Sequence, residues 1–221
     1  MRHGRQRELR PRTWGGRRDG AGRKPMPGRR CVPHERRPVH DPRCPVHVTL
    51  RARRGLPSLR RGNVFAAIRA ASAKVSNDRF RLLHFSVQAD HVHLLVEADG
   101  ARWLRCGLQG LGIRVAKAIN RIIGSRGRIW SDRHHRRVLG TPREVRHARL
   151  YVLQNWRKHL PGSHGVDPRS SASWFTGWRV AMAVPPERSP VRTPRTWLAT
   201  VGWRRHGLVG LDEMPSSARS S

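Results

Sequence analysis

The sequence predicts an α+β fold in which an antiparallel sheet carries helices on one face. Three observations lead there. Apolar residues alternate with polar ones over Val46-His47-Val48-Thr49-Leu50, as on a half-buried strand. Leu104, Leu108, Leu111, Val115, Ile119 and Ile122 recur at spacings of four, three, four, four and three, which marks a long amphipathic helix. Between residues 45 and 160, segments of the two kinds follow in the order strand, helix, strand, strand, helix, strand, helix.

Each element has its own signals. After the first strand, Gly55-Leu56-Pro57 and Gly62 punctuate a loop. Val64, Phe65, Ile68, Ala71 and Val75 then follow helical spacing, with Asn63 as the expected N-cap. Phe80 to Val87 and His91 to Val96 read as strands joined through Gln88-Ala89-Asp90, hence an antiparallel hairpin. The long helix carries Arg114, Lys117 and Arg121 on its polar side and ends at Gly124 and Gly127. A short strand is expected near Arg128-Ile129-Trp130 and another from Arg136 to Leu139. The last helix opens at Thr141-Pro142-Arg143-Glu144, a capping Thr with Pro in the first turn and Glu three residues on. It is expected to run to about Leu160, with Val145, Val152, Trp156 and Leu160 toward the core. This order is that of the split βαβ, ferredoxin-like arrangement.

Composition sets the flanks apart. Residues 1–44 hold 14 Arg and Lys against Glu8, Asp19, Glu35 and Asp41, with few apolar residues, and read as a disordered basic arm. Residues 45–160 form the folded domain. Residues 161–221 read as an irregular Pro/Ser-rich extension with aromatic islands at Trp174-Phe175, Trp178 and Trp197 to Trp203. Across 221 residues, 46 Lys and Arg oppose 14 Asp and Glu, a formal charge of +32, so polyanions are natural partners. In the arm, Arg23, Lys24, Arg29 and Arg30 sit among Gly and Pro, and with Arg114, Lys117 and Arg121 they are expected to meet nucleic-acid phosphates. The apolar runs reach about five residues, far from the ~20 that a membrane helix needs. Met1 to Arg12 has no apolar signal-peptide core, so a cytoplasmic, membrane-free protein is expected. The odd set Cys31, Cys44 and Cys106 has no CxxC pair, which argues against a disulfide framework.

Two clusters carry chemistry. In Asp90-His91-Val92-His93-Leu94-Leu95-Val96-Glu97, strand alternation puts His91 and His93 on one face and Val92, Leu94 and Val96 on the other. Two imidazoles so placed are a pair of metal ligands or a partly exposed, inert pair. Tyr151, the single tyrosine, precedes Asn155 by four residues and Lys158 by seven on the last helix. At 100° per residue the three gather on one flank of the apolar stripe. A phenol, an amide and an ammonium on one edge suit attack on a phosphate, and a boundary aromatic is the plainer reading.

A strand reading DHVHLLVE and a later helix reading ARLYVLQNWRKH, on this scaffold, resemble the single-tyrosine HUH transposases, and among them the REP-associated tyrosine transposases. The connector from Trp130 to Leu139 into Thr141-Pro142-Arg143-Glu144-Val145 is similar as well. The resemblance covers about residues 45–160. It departs at Ala89, where that family often has Pro, and at His134, where a second tyrosine is common. The resemblance implies a divalent metal, Mg²⁺ or Mn²⁺, held by His91, His93 and Asn155. It implies Tyr151 as nucleophile, assisted by Lys158, on single-stranded, hairpin-bearing DNA, through a 5′-phosphotyrosine with a free 3′-hydroxyl. Within that superfamily both homodimers that exchange tyrosine helices and monomers occur. Strand transfer through such a link conserves bond energy, in keeping with the lack of a GxxxxGK[ST] loop.

Rival readings remain at this level. Cys31-x-x-His34 with Cys44-x-x-His47 has zinc-like spacing, although His47 falls inside the first strand. Cys106 is expected to pack rather than react, and Glu97 either orients the histidines or is a strand-end charge. The alternative function is a non-catalytic nucleic-acid-binding module. It would be a domesticated transposase, or an RNA-recognition-like sheet, for which these strands offer Phe80 and Phe85 but not the pattern of alternating aromatics around Gly.

Overall fold

The computed structural model describes residues 39–158, 162 and 164–215. Alternation in the first strand is realised as β1 (Val46–Arg51), in which Val46, Val48 and Leu50 are buried. The elements that follow are α1 (Gly62–Val75), β2 (Phe80–Val87), β3 (His91–Ala98), α2 (Ala101–Ile122), β4 (His135–Val138) and α3 (Pro142–Gln154). The four strands form one sheet in the order β2-β3-β1-β4, with every neighbouring pair antiparallel. This is the expected ferredoxin-like topology, with β3 and β1 at its centre.

Helices α1 and α2 cover one face of the sheet. Phe65 and Ile68 from α1 and Leu104, Leu108, Leu111 and Val115 from α2 close over Val48, Leu50, Phe85, Val92, Leu94 and Val96. Gly107 allows the closest approach, since a Cβ there would lie 2.2 Å from the Phe80 ring.

The opposite face is covered too, and here the structure corrects the expectation of helices on one face only. Helix α3 lays Val145, Leu150 and Leu153 on Leu83 and Leu95, and residues 166–211 add Phe175, Trp178, Leu198 and Trp203 to this second core. A bulge between Leu82 and His84 adds a residue to β2 and turns both Leu83 and His84 toward this side. Strands β2 and β3 are consequently buried on both faces.

The C-terminal extension is therefore part of the fold. Val87 N donates to Arg169 O (2.9 Å) and Ser171 N to Phe85 O (2.9 Å), which pairs the otherwise open edge of β2. Asp167, fully buried, takes Arg60 Nη2 at 2.8 Å and ties this segment to the loop before α1. Arg146 of α3 clamps its end, donating to Gly207 O and Leu208 O and pairing with both oxygens of Glu213 at 2.6 and 2.8 Å.

Local corrections are smaller. Helix α1 starts at Gly62 after Arg61, so Asn63 lies within the first turn, where its carboxamide accepts from Val64 N. Arg128–Trp130 is no strand; Trp130 makes a single bridge to Ala52. The capping box forms as expected, with Thr141 Oγ1 accepting from Glu144 N and Glu144 Oε2 from Thr141 N. Helix α3 stops at Gln154 and tightens into a 3₁₀ turn over Asn155–Lys158, and Leu160 lies outside the described residues. Among the described residues, no helix is long and apolar enough to cross a membrane.

Candidate active site

The site is built where the polar faces of the two central strands meet the flank of α3. His91 and His93 share one face of β3, their ring centres 4.6 Å apart, while Val92 and Leu94 lie in the core beneath α1 and α2. Register sets Thr49 of β1 opposite His93, and Thr49 Oγ1 is 3.2 Å from His93 Nδ1. His91 Nδ1 donates to Asp90 Oδ1 at 2.7 Å. Burial alone would raise the Asp90 carboxyl, but the His91 hydrogen bond and the charges of His91 and Arg51 outweigh it and hold it below the usual range. Both rings thus have Nδ1 engaged, an arrangement that orients Nε2 toward a ligand.

Helix α3 brings the second half. Tyr151 sets its ring edge against His93, with centres 5.0 Å apart at 80°. Asn155, one turn later and buried, places Nδ2 3.4 Å from His93 Nε2. One tautomer satisfies both contacts of His93: Nδ1–H donates to Thr49 and Nε2 accepts from Asn155. Lys158 Nζ stands 5.6 Å from the centre of the Tyr151 ring. Burial pushes the Tyr151 phenol above its ordinary value of 10.0. The structure therefore gathers all five residues singled out for chemistry, His91, His93, Tyr151, Asn155 and Lys158, at one place.

It adds His47 and Thr49 to them. The His47 ring lies 5.3 Å from that of His93 and 5.6 Å from that of Tyr151. Burial, reinforced by the charges of His135 and Arg137, pushes its pKa down to about 4, so the ring is neutral. The signal was present in the sequence, because the alternation that buries Val46 and Val48 sends His47 and Thr49 to the other face. His47 is thus committed to this cluster; Cys31 and His34 of the zinc-like set lie outside the described residues.

Other expectations resolve differently. Glu97 orients no histidine. It is fully buried and accepts from Arg81 Nε, from the backbone N–H of Arg195 and Thr196, and from Thr196 Oγ1. Cys106 is exposed on α2 rather than packed. Phe80 and Phe85 lie in the core under α1 and α2, at 2% and 0% exposure, so neither offers a face to a base as an RNA-recognition sheet would require. Arg114, Lys117 and Arg121 are exposed on α2, in the layer on the other side of the sheet from the histidines. Arg23, Lys24, Arg29 and Arg30 lie outside the described residues.

The donor set fits a divalent ion. The imidazoles of His91 and His93, with ring centres 4.6 Å apart, and the Asn155 amide, which can turn its oxygen toward His93, are the groups that could hold it. Among the described residues no three His, Cys, Asp or Glu side chains gather as a metal cluster, so Asn155 is the neighbouring side chain that could serve as a third donor.

Comparison with known proteins bears on the fold. No protein-family model matches the chain, and no curated protein matches it. Among solved structures, a REP-associated tyrosine transposase bound to a REP hairpin matches with a TM-score of 0.51 and 18% identity, over 74% of this chain and 100% of that one. At that identity the likeness is one of fold, and the chain shares the overall fold of that transposase.

Proposed function

We propose that the chain is a transposase-like DNA nickase and strand-transfer enzyme. It acts on single-stranded, hairpin-bearing DNA, with Tyr151 as nucleophile and a divalent ion held by His91, His93 and Asn155. The observation that carries this reading is the convergence of Tyr151 and Asn155 on His93, at 5.0 Å between ring centres and 3.4 Å between nitrogens. Two distant sequence segments supply these groups, and the fold likeness to a tyrosine transposase supports the same conclusion.

The residues divide the chemistry. Tyr151 Oη attacks the scissile phosphorus, the bond to the 3′ oxygen breaks, and the phosphate stays on the enzyme as a 5′-phosphotyrosine. The phenol gives up its proton as it attacks, and the departing 3′ oxygen takes one up to become a hydroxyl. Burial keeps the phenol protonated at neutral pH, and the ammonium of Lys158 favours the phenolate as charge develops. Bound between the two histidines and Asn155, Mg²⁺ or Mn²⁺ would polarise the phosphate as a Lewis acid. Asp90 and Thr49 hold the imidazoles in register from behind. Attack by a 3′-hydroxyl on the phosphotyrosine reverses the step and rejoins DNA without ATP.

The test is direct. With labelled hairpin-bearing single strands and Mn²⁺, the protein should form an adduct that survives denaturation, and Tyr151→Phe should form none. Because Tyr151 is the single tyrosine, an adduct in Tyr151→Phe overturns the assignment.

A further inference from the structure

A second feature lies along the same sheet face, four residues further down β3 from His93, or roughly 13 Å at ~3.3 Å per residue. Here three of the four hydrogen bonds that Glu97 accepts hold one short segment. Its Oε1 accepts from Thr196 N (3.1 Å) and Thr196 Oγ1 (2.7 Å), and its Oε2 from Arg195 N (2.9 Å) and Arg81 Nε (3.1 Å). Thr196 in turn caps helix α4 (Trp197–Thr200), accepting from Ala199 N. A buried carboxylate thus fixes the chain immediately before Trp197.

What it presents is an indole left half in solvent. Trp203 and Trp178 of the same extension are 1% and 4% exposed, but Trp197 is 48% exposed. Its back rests on Gly202, where a Cβ would come within 2.8 Å of the ring. Arg205 holds its guanidinium 5.0 Å from the ring centre. Trp197 also borders an open cleft of about 710 Å³ that is lined by Arg43, Arg81 and Arg195 and by the carboxylates of Asp41 and Asp99, a volume within the ~300–1,000 Å³ typical of small-ligand sites. The side chains of Arg43 and Arg195 are 88% and 58% exposed and pair with Asp41 at 2.9 Å and Asp78 at 3.3 Å, surface ion pairs that a phosphate can displace. A rigid aromatic flanked by guanidinium groups is the platform on which unpaired bases stack, with phosphates taken by the arginines.

We infer that the Trp197 cleft is a nucleobase subsite, which stacks one unpaired nucleotide of the single-stranded DNA at a distance from the scissile phosphate. The inference rests on the reading that this chain handles single-stranded DNA. It does not depend on cleavage, so it is tested by binding without metal, where loss of chemistry has no effect.

Binding of a fluorescent 20-nucleotide single strand and of a blunt duplex of equal length should be compared by anisotropy in chelator. Trp197→Leu should weaken single-strand binding about 5- to 100-fold, the usual range for losing one stacked base, while duplex binding stays within about twofold. Trp197→Phe should retain most of the affinity. Unchanged single-strand binding by Trp197→Leu, or an equal loss on duplex, would overturn the subsite. Should the Leu variant melt well below the parent, the unaltered protein decides the matter. Photocrosslinking to single strands bearing 5-iodouracil, with mapping by tandem mass spectrometry, should place an adduct on Trp197. Adducts confined to other residues would overturn it.

Discussion

Asn155 Nδ2 stands 3.4 Å from His93 Nε2, although the two residues are 62 positions apart in sequence. This contact couples the tyrosine helix to the histidine strand. It also keeps the amide where its oxygen can replace its nitrogen by turning about one bond. Asn155→Ala should therefore weaken Mn²⁺ binding by about 10- to 100-fold, whereas Asn155→Asp should retain or strengthen it. Isothermal titration of Mn²⁺ into the DNA-free protein measures this. Equal affinity in Asn155→Ala would remove Asn155 from the ligand set.

The two faces of β3 should separate fold from site. Val92 is 2% exposed in the core against α1 and α2, so Val92→Ala should cost about 2 kcal/mol of stability and leave metal affinity unchanged. His93→Ala should abolish metal binding while the sheet, held by its backbone ladder and the opposite core, still melts cooperatively. Thermal melts paired with the Mn²⁺ titration would expose a reversed outcome.

How much of this was legible in the sequence differs from element to element. Period-two alternation identified β1, which hides Val46, Val48 and Leu50 on one side, and the short polar turn Gln88-Ala89-Asp90 between two apolar runs identified the hairpin of β2 and β3. The capping box at Thr141 set the start of α3. The second face escaped detection for a physical reason: its covering comes from residues 166–211, whose aromatic islands carry no periodicity that a helix or strand would impose. That cover also explains why α3 buries Arg146 and Arg149 beyond the predicted stripe. Arg149 lies over the Trp203 ring and donates to Ala199 O, and burial, with the nearby Arg204 charge, pushes its pKa down to about 9. At the site, Tyr151, Asn155, His91 and His93 were marked by spacing within single elements. His47 required knowing that β1 lies beside β3, a pairing that no local pattern encodes.

The clamp between α3 and the C-terminal segment should make stability fall in acid. The hydrogen bond from Arg146 is the largest influence on the Glu213 carboxyl and holds it below its ordinary 4.5 despite partial burial. A depressed folded pKa means that the contribution is fully present above about pH 4.5 and is lost as pH falls through the lower folded value. Glu213→Gln should therefore melt lower than the parent at pH 7, by about 1–3 kcal/mol of stability, and the gap should narrow as pH falls below 4.5. Parallel melting curves from pH 7 to 3 test this. A constant gap across that range would mean that Glu213 stabilises the clamp through packing alone.

The separation of charge from chemistry gives the last expectation. Arg114, Lys117 and Arg121 are exposed on α2, and the sheet stands between them and the histidines. No phosphate can touch this stripe and the Tyr151 hydroxyl at once, so the stripe can act on affinity without acting on the attack. Each phosphate neutralised on a single strand contributes about 0.7 to the slope of log K against log salt, so replacing all three by Gln should flatten that slope by about 2. Binding at low salt should weaken correspondingly. The first-order rate of adduct formation at saturating DNA should stay within about twofold, because the groups that hold and attack the phosphate lie in the other layer. An unchanged slope would show that DNA does not follow α2. A slowed rate at saturation would show that the stripe bends the strand into the site, and the two layers would then act together.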